Sequence, residues 1–135
     1  MPNDALVSTI KNIMAVAKNG DVDGANALWG ELFNSPEFAS YPPADQRQAL
    51  KLLVHAKRTG PRVPSLIETH RAAIPALQAL TAAHNEPADH EMLGMCQLVL
   101  GDLEAAALSA RAGLEIERSR SPESDLCGRL MKLLS

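Results

Sequence analysis

Gly101-Asp102-Leu103-Glu104-Ala105-Ala106 matches, type for type, an earlier stretch of the chain, Gly20-Asp21-Val22-Asp23-Gly24-Ala25. In each copy a glycine can take the left-handed backbone that ends a helix. The acidic residue after it suits a helix N-terminus, and an aliphatic residue and then small residues follow. Such a stretch turns one helix into an antiparallel neighbour and lets the two pack closely. The flanking apolar residues recur at helical spacing. Met92, Leu93, Cys96, Val99 and Leu100 precede the second copy, and Leu103, Ala106, Ala110, Gly113 and Leu114 follow.

Working outward, the spacing predicts a first helix over about residues 4–18, with Leu6, Ile10, Ile13 and Ala17 in one stripe and Val7 and Met14 beside it. Its partner starts near Asp21 and carries Ala25, Leu28, Trp29 and Leu32. Pro36, Pro42 and Pro43 make 34–43 a linker. Two later helices open on the same tripeptide, Pro43-Ala44-Asp45 and Pro87-Ala88-Asp89, because proline fits the first helical turn, where its missing N–H has no partner to lose. The helix from Pro43 is expected to stop at Thr59-Gly60-Pro61, and the next to start at Pro64-Ser65 with Ser65 and Glu68 as a capping box. Pro75 is expected to kink that helix or split it in two. A closing helix from Ser121-Pro122-Glu123 carries Leu126, Leu130, Leu133 and Leu134.

Composition agrees with an all-α chain. The 135 residues are 46% apolar, mostly Ala and Leu, and the aromatics are Trp29, Phe33, Phe38 and Tyr41 alone. Strands would call for more β-branched and aromatic residues. This length predicts one domain, 1–135. The net charge of −3 argues against general nucleic-acid binding. Residues 41–71 nevertheless hold Arg47, Lys51, Lys57, Arg58, Arg62 and Arg71 against Asp45 and Glu68, either a solvated basic face or a binding patch. No stretch reads as a signal peptide or a membrane span, and Cys96 and Cys127 sit in apolar helical patterns as buried free thiols. The expected location is cytoplasmic.

The paired glycine turns, with Leu93-Gly94 and Ala106 on facing helices, resemble the tetratricopeptide repeat family. The resemblance implies a right-handed α-α superhelix of about three antiparallel helix pairs plus a C-terminal capping helix. Aligned on positions 20, 60 and 101, the units are 40 and 41 residues apart, longer than the family's period of about 34. The third unit has His90, Gln97 and Arg118 where the family has Trp, Tyr and Pro; the first has Asn12-Ile13 in place of Leu-Gly.

In such repeats the first helix of each pair lines a concave groove for a peptide or helix of a partner protein. By that alignment the groove carries Val7, Ile10 and Met14, then Arg47, Leu50, Lys51 and Val54, then Glu91, Met92 and Met95. Methionines suit an adaptable apolar surface and equally suit core gaps. The implied partner bears acidic and apolar residues. Small bacterial secretion chaperones with three such units are the nearest analogy. The carboxylate clamp of co-chaperone domains is not expected, since its positions fall on Ile10, Met14, Lys51, Ala88 and Met92, with one cation among them. The surplus apolar lines of the last helix, Leu126–Leu130–Leu133 and Cys127–Met131–Leu134, suggest a second copy of the chain docking there.

Enzymatic chemistry finds no pattern. His55 and His70 fall on different helices, and His84 and His90 straddle a loop beside Glu86, Asp89 and Glu91 without the i, i+4 spacing of a metal-binding helix. No Gly-rich phosphate loop or nucleophile–base arrangement appears, so no cofactor is expected. Two classes stay open: a protein-binding adaptor or chaperone, and a regulatory or nucleic-acid-associated repeat using the basic middle segment.

Overall fold

The computed structural model describes residues 4–56 and 63–134, and every regular element among them is helical. The elements are α1 (Asp4–Lys18), α2 (Val22–Asn34), a 3-10 turn (Phe38–Ser40), α3 (Pro43–Val54), α4 (Pro64–His84), α5 (Pro87–Val99), α6 (Leu103–Arg120) and α7 (Asp125–Leu134). The chain divides into two compact units, residues 1–73 and 74–135. The division falls inside α4, just ahead of Pro75.

The repeated Gly-Asp stretches form the same turn. Gly20 and Gly101 have φ of +91° and +80°, a region closed to most L side chains. The Gly20 N–H donates to the Ala17 carbonyl (3.0 Å) and the Asp21 N–H to that of Val16 (3.2 Å). Gly101 and Asp102 donate likewise to Leu98 and Gln97, at 3.0 Å each. This double bond pattern satisfies carbonyls that the helix end would leave bare. The same aspartate then caps the next helix. Asp21 accepts the Gly24 N–H at 2.9 Å, and Asp102 accepts that of Ala105 at 3.2 Å. Two residues therefore finish one helix and start another.

In the first unit α1 packs on α2 through Leu6 and Ile13. Trp29 stacks on Phe33 (centroids 5.7 Å), Phe33 meets Phe38 edge-on (5.2 Å), and Phe38 meets Tyr41 (6.1 Å). All four aromatics thus run in one row from α2 into the linker. Buried Gln46 of α3 ties down the same linker, donating to the carbonyls of Tyr41 (2.8 Å) and Ala39 (3.3 Å). In the second unit α5, α6 and α7 pack on one another around Met92, Cys96, Ala106, Ala110, Leu114, Cys127 and Leu130. Both cysteines are free and buried, and burial pushes the Cys96 thiol up to about 12.

Several expectations need correction. α3 ends at Val54, not at Thr59-Gly60-Pro61, of which 59–61 lie outside the described residues. Its buried face is complete at Leu53 and Val54, and the exposed His55 and Ala56 give a further turn nothing to bury. Ser65 is no N-cap: it lies inside α4, and its hydroxyl is committed to α2. α4 runs unbroken through Pro75, which sits on its exposed side. Leu103, expected inward, is 67% exposed. α7 starts at Asp125 rather than Ser121, because the Ser124 hydroxyl accepts the Cys127 N–H (3.2 Å) and so sets the helix start.

Candidate functional site

The expected groove residues separate by burial. On α1, Val7 and Ile10 are half-buried and Met14 is 46% exposed. At 100° per residue these three share one flank of the helix, beside the buried Leu6–Ile13 face. On α3, Lys51 is exposed, while Arg47 is half-buried and engaged in a contact of its own. Val54 and Leu50 are buried in the core-facing stripe of α3, so neither offers surface to a partner. Met92 is likewise fully buried, and Met95 half-buried. Met92 is core because it shares the α5 face with Leu93 and Cys96.

Glu91 also leaves the groove. Its side chain is 3% exposed and accepts from Arg129 Nε of α7 at 2.7 Å, with Arg129 Nη2 3.4 Å from its other oxygen. The Arg129 guanidinium, 53% exposed, has its pKa raised chiefly by that hydrogen bond. The pair fastens α7 to α5. The signal lay in the sequence as a charge inside the apolar run Glu91-Met92-Leu93, with an arginine among the leucines of the last helix.

The histidines hold no common site. His55 and His84 are exposed, and buried His70 bonds the Leu66 carbonyl through Nδ1 (2.8 Å). His90 Nε2 is 2.8 Å from Asn85 Oδ1, which places the ring proton on Nε2. Burial lowers the His90 pKa, and Asp89 partly offsets it. Asn85 itself stands at φ +52° and ends α4 as a glycine would. Among the described residues no three His, Cys, Asp or Glu side chains gather as a metal cluster. No described helix is long and apolar enough to cross a membrane.

A cleft in the first unit, absent from the sequence reading, lies between α2 and α4. It is open, encloses about 620 Å³, and is lined by Asn26, Ala27, Gly30, Glu31, Asn34 and Ser35 on one side and by Ser65, Glu68 and Thr69 on the other. Its floor is locked by hydrogen bonds. Asn26 Nδ2 donates to Ser65 Oγ (3.1 Å), Ser65 Oγ donates to Asp23 Oδ1 (2.6 Å), and Thr69 Oγ1 donates to the Asn26 carbonyl (2.6 Å). A sequence signal existed: Asn26 and Gly30 one turn apart, and Ser65 and Thr69 one turn apart on the facing helix.

Compared with known proteins, the chain matches no family model, no curated protein and no solved structure.

Proposed function

We propose that this protein is a non-enzymatic binding module built of tetratricopeptide-like helical hairpins, arranged as a right-handed superhelix. In this reading it is an adaptor or chaperone that takes a peptide or amphipathic helix of a partner protein. The observation that carries the reading is the flank of α1, where Val7, Ile10 and Met14 leave apolar surface open beside a filled core face. A methionine in such a place adapts to differently shaped apolar ligands. Lys51, exposed in the same unit, supplies a cation for acidic residues of the partner. The apolar anchors would give most of the affinity and the charges mainly the association rate.

The test is capture of the partner from a lysate of the native cell, followed by calorimetry with both purified proteins. Met14→Glu is expected to weaken binding by at least about tenfold, with an unchanged circular-dichroism melt. Lys51→Glu should slow association and flatten its salt dependence. Wild-type affinity in Met14→Glu and Ile10→Glu alike would remove the α1 flank from the interface.

A further inference from the structure

We infer that the cleft between α2 and α4 is a second docking site, and that its occupant is an extended peptide segment of a partner carrying lysine or arginine between small residues. The first support is charge. Glu31 and Glu68 are the ionisable side chains lining the cleft, one on each wall, and Asp23 stands behind Ser65. Glu31 is exposed and makes no ion pair among the described residues, and Glu68 has only the exposed Arg71, 3.4 Å away. An exposed pair of that length is weak, and an incoming cation can replace it.

The second support is Gly30. It lies mid-helix, where glycine is disfavoured, yet packing does not ask for it: a Cβ there would meet nothing nearer than Thr69 Oγ1 at 3.9 Å. Within the fold, alanine would fit at no steric cost. As a cleft-lining residue, however, Gly30 leaves α2 backbone bare where a methyl would intrude. A bare strip of helix suits close approach by another main chain.

The third support is shape and rigidity. The α2 wall runs from Asn26 to Ser35, about 13 Å along the helix axis, long enough for several residues of extended chain. The hydrogen-bonded floor through Asn26, Ser65 and Thr69 fixes that wall before anything binds, which lowers the cost of association. Specificity would come from the carboxylates of Glu31 and Glu68 on the two walls.

The experiment is an amide-shift NMR titration of the full chain with the capped peptide GSKGSKG. Shifts are expected at Ala27, Gly30, Glu31 and Thr69, weakening as salt rises. The same peptide with glutamate for lysine should leave them still. Gly30→Ala is the decisive variant, because it should raise the melting temperature while weakening the peptide by about tenfold or more. Glu31→Gln should weaken it too, without altering the melt. Unaltered titration of Gly30→Ala, or shifts spread over acidic residues elsewhere, would overturn the site. Equal shifts from spermidine at the same concentration would overturn the peptide as its occupant.

Discussion

A methyl added at Gly113 would stand 3.0 Å from His90 Cβ and 3.2 Å from both Leu130 Cδ2 and the Pro87 carbonyl oxygen. Backbone cannot move aside cheaply, so Gly113→Ala is expected to lower stability by about 1–3 kcal/mol through overpacking. At Gly94 the nearest atoms are 3.4 Å away or more, ordinary contact distances. Gly94→Ala should therefore be neutral or stabilising, and only a larger change such as Gly94→Leu should cost about 1–3 kcal/mol. Urea melts of the three variants check the ranking. The sequence points to Gly94 as the close crossing, because Leu93-Gly94 carries the repeat signature. The closest approach falls instead at Gly113, against His90 Cβ and the Pro87 carbonyl at the start of α5, a crossing that no local pattern encodes. His90 gives a second test at this scale. Its pKa is lowered in the fold, so the unfolded chain binds the proton more readily. The stability it contributes is full above the ordinary histidine value of about 6.5 and is lost as pH falls from there toward the folded pKa. His90→Gln should reduce the loss between neutral and mildly acidic pH in denaturant melts.

At the scale of the element, the Gly-Asp turns and the fastening of α7 hold the most. Asp21→Ala and Asp102→Ala are each expected to cost about 1 kcal/mol, since each removes an N-cap. Asp→Asn at either place should cost less, because an amide oxygen still accepts the bond. Removing Arg129 takes its ion pair away from the buried Glu91 carboxylate. Arg129→Ala should destabilise by about 1–2 kcal/mol, below the figure for a wholly buried pair because the guanidinium is half in solvent. Thermal melts decide, and Arg129→Lys should recover only part of the loss, having no planar fork. Element starts were the most legible feature of the sequence: Asp4, Asp21, Pro43, Pro64 and Pro87 each mark one through chemistry confined to a single turn. Ends and caps that rely on distant partners were not. Ser65 looks like a cap until Asp23 and Asn26 are beside it, and α3 stops where its core face is filled rather than at the next glycine.

Over the whole molecule, the helical content was plain from composition, while which apolar residues stay open to solvent was not. Periodicity marks an apolar stripe but not which side of it another helix covers. Val7, Ile10 and Met14 keep open surface, whereas Val54 and Met92, drawn from equally apolar patterns, are enclosed. The same holds for α7, whose leucines and Cys127 are spent within the second unit, leaving Met131, 50% exposed, as its one strongly exposed large apolar residue. A second copy docking on α7 would cover Met131 together with the half-buried Leu126, Leu133 and Leu134. If α7 joins a second copy, Met131→Glu is expected to shift sedimentation from a larger to a smaller species, and a wild-type chain that sediments as a clean monomer would count against that docking.

The two-residue Gly-Asp hinge also bears on the order in which the chain folds. Closing so short a loop sacrifices little chain entropy, whereas the connection 35–42 must be gathered in by aromatic contacts and Gln46. Local contacts form early. The α5–α6 hairpin is therefore expected to be largely assembled at the folding barrier, with the aromatic row completed on the downhill side. Chevron analysis should then show Ala106→Gly slowing folding, with a φ-value in the upper range, and Phe38→Leu chiefly hastening unfolding. A glycine–aspartate pair retained as a cap would, by this route, also set which part of the protein is first to leave the unfolded state.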